Sequence, residues 1–122
     1  MSLSDYGENK MLSLLKADGS YYLGLYTVVP SDDGTGGTEV SGGGYARQAV
    51  TFGTPSSGSM SNSAAIEFPT ATADWGTANG WGLFDAVSGG NLVWCGTITT
   101  PRQLFTGDIY RVQAGNFSLS ID

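Results

Sequence analysis

The chain predicts an all-β protein: an antiparallel, jelly-roll-like β-sandwich with one short N-terminal helix. Three observations predict it. Short runs of aromatic and β-branched residues recur from residue 21 onward, Gly and Pro punctuate them, and helical spacing occurs only before residue 18. The 122 residues make one sandwich domain spanning 1–122, large enough to bury a core without disulfide or metal staples.

Residues 5–17 carry the helix. Asp5 and Glu8 fit a capping box, in which each side chain satisfies a free amide of the first turn. Met11, Leu14 and Leu15 follow at helical spacing, Lys16 suits the negative end of the dipole, and Asp18-Gly19 stops the run. The helix is expected to close an open edge or end of the sheets; docking on a neighbouring subunit is the alternative.

Residues 21–29 are apolar on both faces, as a central strand requires, and Pro30 ends them. Residues 30–44 form a glycine-rich loop. Within Gly34-Thr-Gly-Gly-Thr-Glu-Val-Ser-Gly-Gly-Gly44, six of eleven residues are glycine, so ordering the backbone carries a large entropic cost. A loop of this length in a small domain is functional or mobile. It is expected to be mobile in the free subunit and to become ordered against a neighbour. Gly34, Gly36, Gly37, Gly42, Gly43 and Gly44, with Tyr45 and Arg47 just beyond, are therefore the candidate subunit-contact residues. The planar fork of Arg47 suits a carboxylate or carbonyls of the next chain, against the plain alternative of a solvated strand residue.

Residues 45–52 alternate, with Ala46, Gln48, Val50 and Phe52 on one side. Residues 55–63 read as a Ser/Gly-rich connection, and residues 65–68 as a short strand stopped by Pro69. Residues 79–86 and 91–99 form a hairpin through Val87-Ser-Gly-Gly90. Residues 108–113 and 116–121 form a second hairpin around Ala114-Gly115, with Phe117, Leu119 and Ile121 alternating with serines.

Composition narrows the function. Charged residues make up 13%, against about 25% in ordinary domains, which fits packing in an assembly and, equally, a merely neutral β-domain. Net charge is −6 with only Lys10, Lys16, Arg47, Arg102 and Arg111 positive, so neither nucleic acid nor an anionic membrane is an expected partner. No run is long and apolar enough to span a bilayer and no signal pattern is seen, so the expected product is soluble and cytoplasmic when made.

Histidine is absent, which removes Ser-His-Asp and Cys-His catalysis and the common zinc sites. Acid–base work would fall to Glu67, Asp74, Asp85 and Asp108, and these sit where turn carboxylates usually bond nearby amides. No enzyme is expected. Asp32-Asp33-Gly34 with Glu39 is the best calcium candidate, but its spacing matches no calcium loop, and no metal or cofactor is expected. Cys95, the sole cysteine, lies in a strand pattern and reads as an inert thiol. Trp75, Trp81 and Trp94 could stack on sugars or fill the core. Trp75, just ahead of a strand, is the candidate surface aromatic.

Several segments together resemble small structural proteins of tailed-bacteriophage virions. They are Tyr22-Leu-Gly-Leu-Tyr-Thr27, Gly37-Thr-Glu-Val-Ser-Gly-Gly-Gly-Tyr-Ala-Arg-Gln48, Phe68-Pro69, Asp74-Trp-Gly76, Gly82-Leu-Phe-Asp-Ala86 and Gly89-Gly-Asn-Leu-Val-Trp94. The resemblance implies a non-enzymatic virion component of the tail, neck or head surface. It would be a homo-oligomer attached to other virion proteins, with a trimer favoured because such decorations and fibres commonly sit on threefold axes. It would be synthesised in the host cytoplasm and reside in the virion. The alternative is a carbohydrate-binding module of a phage fibre.

Overall fold

The computed structural model describes residues 3–121. Helix α1 spans Asp5–Asp18, and its cap is Ser4, whose hydroxyl accepts from the Gly7 amide at 3.1 Å. The cap therefore falls one residue before the expected Asp5, because the short serine side chain reaches the amide three residues on. Glu8 does not reach back either. It is buried, together with Leu12, on the face that packs over the serine-rich stretch near Gly58. Two hydrogen bonds fix the helix there: Gly58 N–H donates to Asn9 Oδ1 at 2.9 Å, and Lys16 Nζ donates to the Gly53 carbonyl at 3.4 Å.

Among the described residues nine strands follow: β1 Tyr21–Val28, β2 Thr38–Glu39, β3 Gln48–Val50, β4 Ser59–Ser61, β5 Ile66–Glu67, β6 Gly76–Phe84, β7 Leu92–Leu104, β8 Arg111–Val112 and β9 Ser118–Ser120. All pairings are antiparallel. The main sheet has five strands. β1 pairs with β6, β6 with β7, and the other edge of β1 is shared between β3 and β2. β3 covers Tyr21 to Leu23 of that edge, and β2 covers Tyr26 and Val28. The expected β6–β7 hairpin through residues 87–90 is present.

The opposing layer is two ribbons, β4 with β9 and β5 with β8, rather than one continuous sheet. Residues 55–63, expected as a connection, contain β4, because Met60 alternates with Ser59 and Ser61 and points into the core. The expected second hairpin does not form, and Asn62 is the reason. It is 2% exposed, donates to the Ala64 and Gln113 carbonyls, and accepts from the Gly115 and Phe117 amides. A buried amide with its partners supplied this way holds residues 113–117 as a turn and sends β8 and β9 to different strands.

The inner face of β1 and β6 supplies Leu23, Leu25, Ala78 and Leu83 to the core, and the ribbons supply Met60, Ile66 and Leu119, with Phe68 and Phe117 beside them. Trp81 meets Phe117 edge-on at 4.8 Å between centroids, joining the layers. The result is all-β with a single N-terminal helix.

Candidate subunit-contact site

The gap between β3 and β2 leaves Leu25 of β1 without a strand partner on that edge, and two loop residues fill it. Leu25 N–H donates to Tyr45 Oη at 3.0 Å, and the Leu25 carbonyl accepts from Val40 N–H at 3.0 Å. Tyr45 Oη in turn donates to Glu39 Oε2 at 2.6 Å. Its ring lies parallel to Phe68 and edge-on to Trp75, with centroids 6.1 and 5.4 Å away. Tyr45 thus completes the sheet edge and the core together.

Arg47 lies beside it on the outer face of the sheet. Nε and Nη2 donate to the two Glu39 oxygens at 2.9 and 2.8 Å, and Nη1 donates to the Ala86 and Gly89 carbonyls at 3.0 and 2.8 Å. The guanidinium carbon sits 3.4 Å from the Phe84 ring centroid, a cation–π contact, and the side chain is 10% exposed. The fork holds a carboxylate and two carbonyls, the chemistry expected of it, but they belong to its own chain. Arg47 therefore joins the glycine loop to the β6–β7 turn, with four of its five N–H donors used within the chain. Gly24 makes room for this cluster, since a Cβ there would stand 2.7 Å from Glu39 Oε2.

The charges respond accordingly. Burial pushes the Glu39 carboxyl up, but the Arg47 and Tyr45 hydrogen bonds outweigh it and hold its pKa below the ordinary carboxylate value. The Glu39 bond raises the Arg47 pKa. Burial, then the bond to Glu39, raises that of Tyr45 well above a free phenol.

Trp75 corrects a second expectation. It is 5% exposed, because its ring closes the core beneath the glycine loop, and Nε1 donates to the Gly43 carbonyl at 2.9 Å. Gly43 has φ +59°, and a Cβ there would lie 2.9 Å from that Nε1. Nor does the loop lack local packing. Val40 is buried, Thr72 N–H donates to the Gly43 carbonyl at 2.9 Å, and Ser31 N–H donates to the Thr35 carbonyl at 2.9 Å. Gly34, Gly36, Gly37, Gly42 and Gly44 are exposed, and Gly43 is half-buried. The structure gathers Gly43, Tyr45 and Arg47 around Glu39 and Trp75, and leaves Gly34, Gly36 and Gly37 on a separate turn.

The carboxylates considered for catalysis are engaged in turns. Asp74 accepts from Thr106 N–H, Asp85 from Asn91 N–H and Asp108 from Phe105 N–H, each at 2.7–2.9 Å. Glu67 lies 3.8 Å from Arg111 across the β5–β8 ribbon. Among the described residues, no group of three or more His, Cys, Asp or Glu could hold a metal ion, and Asp33 instead accepts from the Thr35 amide and hydroxyl.

Two further surfaces lie outside the expected contact residues. One is the outward face of α1, where Tyr6, Met11 and Leu14, with Leu3 just ahead of the helix, are 44–76% exposed. Met11 and Leu14 were expected with Leu15 on the face toward the sheets, but Glu8 and Leu12 are the buried residues of α1, so the helix is turned to leave Met11 and Leu14 outside. The other is a groove of about 540 Å³ between β7 and the ribbons, floored by Leu25, Trp81 and Phe117. It exists because the divided second layer is too narrow to cover β7.

A small all-β domain whose polar groups are absorbed by its own turns has the build of a structural subunit. The family model described as Podophage GP4 fiber I protein gp80 matches residues 2–120, and the chain belongs to that family. It is accordingly a structural protein of tailed-phage virions, from a fibre family. No curated protein matches the chain.

Proposed function

We propose that this chain is a non-enzymatic, homo-oligomeric building block of a phage fibre, attached to other virion proteins at the tail, neck or head surface. It is made in the host cytoplasm and works in the virion, without cofactor, nucleic acid or membrane. One observation carries the reading: a helix anchored on one face leaves three large apolar side chains exposed on the other, with a fourth, Leu3, exposed just ahead of it. A soluble monomer with 13% charged residues has little else to keep such a face apart from its neighbours. A trimer is the favoured state. The exposed glycines Gly34, Gly36, Gly37, Gly42 and Gly44 offer unshielded backbone to the same assembly.

Sedimentation velocity over a range of concentrations tests this. A concentration-dependent oligomer is expected. A protein that stays monomeric at high concentration and does not bind isolated virion parts would end the reading.

A second reading, a carbohydrate-binding module, is favoured by the groove. Its aromatic floor of Trp81 and Phe117 is rimmed by neutral Thr97, Thr99, Gln113 and Asn116 beside a single charge, Arg111, a lining suited to a sugar. A glycan array that lights up with the wild type and goes dark with Trp81→Ala would support it.

A further inference from the structure

We propose that the outward face of α1 in one copy seats in the cleft beside Asp32 and Asp33 of the next copy, so that subunits associate head to tail. The inference rests on the homo-oligomer reading and names its interface.

Tyr6, Met11 and Leu14, with Leu3 just ahead of the helix, share this exposed face with Lys10, which takes part in none of the ion pairs among the described residues. Lys10 sits near the middle of the stripe. Pairing α1 with α1 of a second copy in parallel register, or antiparallel about the middle of this stripe, would bring one Lys10 against the other, and like charges across an interface oppose association. The helix therefore calls for an apolar surface that carries carboxylates.

One of the cavities among the described residues sets carboxylates beside apolar side chains, in a lining of mixed polarity. It measures about 340 Å³, its wall is Leu92, Val93 and Trp94, and Asp32, Asp33 and Gly34 form its lip. Both aspartates are exposed and neither has a basic partner. The larger groove is a poor match, because its only charged lining residue is Arg111, which would repel Lys10.

Helix face and cleft share no residue. The helix is fixed near Gly53 and Gly58, whereas the cleft lies between residues 32–34 and the start of β7. Each copy can therefore use both at once, which is a heterologous contact that closes into a ring or continues as a filament. A 14-residue helix is about 21 Å long and about 10 Å wide, so this face alone is well under the roughly 800 Å² per partner of a durable interface. A single contact is weak, and ring closure or repetition supplies the rest.

Charge exchange on the full chain tests the pairing, read by sedimentation at several concentrations. Lys10→Glu and Asp32→Lys are each expected to weaken association by about tenfold or more, and the double variant to recover most of it. All substituted side chains are exposed, and matched thermal melts would verify that the variants fold. Leu14→Ser is expected to weaken association as well, with no change in the melt. Single variants that associate like the wild type would overturn this interface while leaving the homo-oligomer in place. Two weakened singles with no recovery in the double would overturn the pairing of these two surfaces. A wild type that is monomeric throughout would overturn both readings.

Discussion

Arg47 has every nitrogen of its guanidinium engaged within the chain, and Glu39 has both oxygens answered. Removing one member leaves the other desolvated without its partner, which costs more than the pair itself contributes. Arg47→Ala is expected to lower stability by about 1–3 kcal/mol in urea unfolding. Arg47→Lys should recover only part of this, because an ammonium cannot span two carboxylate oxygens and two carbonyls in one plane. A variant as stable as the wild type would mean that the cluster is slack. The kind of partner Arg47 wants was legible in the sequence from the fork alone. That the partners are intramolecular was not, since the β1–β6 pairing is what carries residues 86–89 to the loop. Trp75 failed for a related reason: its burial depends on the glycine loop folding over it, a contact 32 residues away in the chain.

Among the elements, the strongly patterned ones were legible: α1 by its helical spacing, β1 by its unbroken apolar run, and the β6–β7 hairpin by its Gly-Gly turn. Elements of two or three residues were not, because so short a run carries no period. β4 is one apolar residue between two serines, and β2 lies inside the glycine tract. The glycine loop makes local contacts that its composition does not announce. Gly43→Ala is expected to cost more than Gly42→Ala. Both must place a Cβ at positive φ, at about 1–2 kcal/mol, but only at position 43 does the added carbon meet Trp75, whereas position 42 is open. Thermal melts of the two variants decide it, and equal losses would show that the loop does not rest on the tryptophan. The helix gives a parallel contrast. Leu12 is fully buried and Leu14 is 59% exposed, so Leu12→Ala should cost about 2–5 kcal/mol and Leu14→Ala well under 1.

For the whole molecule, the absence of histidine has a consequence that a virion protein can use: little in the chain titrates near neutrality. The groups whose shifts matter lie at the two extremes. Glu39 has a folded pKa below its unfolded value, so its contribution is full above about pH 4.3 and is lost as pH falls through the lower folded value. Asp33 and Asp85 shift the same way, through bonds to Thr35 and Asn91, and being fully exposed they add little. Tyr45 has the opposite sign: burial and Glu39 raise its folded pKa, so its neutral form stabilises the fold below about pH 10 and that contribution fades as pH rises further. Stability measured by urea unfolding is therefore expected to be nearly flat from about pH 5 to 8.5, to fall on the acid side as Glu39 releases Arg47, and to fall again above about pH 10. Glu39→Gln should flatten the acid limb, because the amide has no proton to gain. A midpoint that drifts steadily across the neutral range, or an acid limb unchanged in Glu39→Gln, would place the pH dependence outside this cluster.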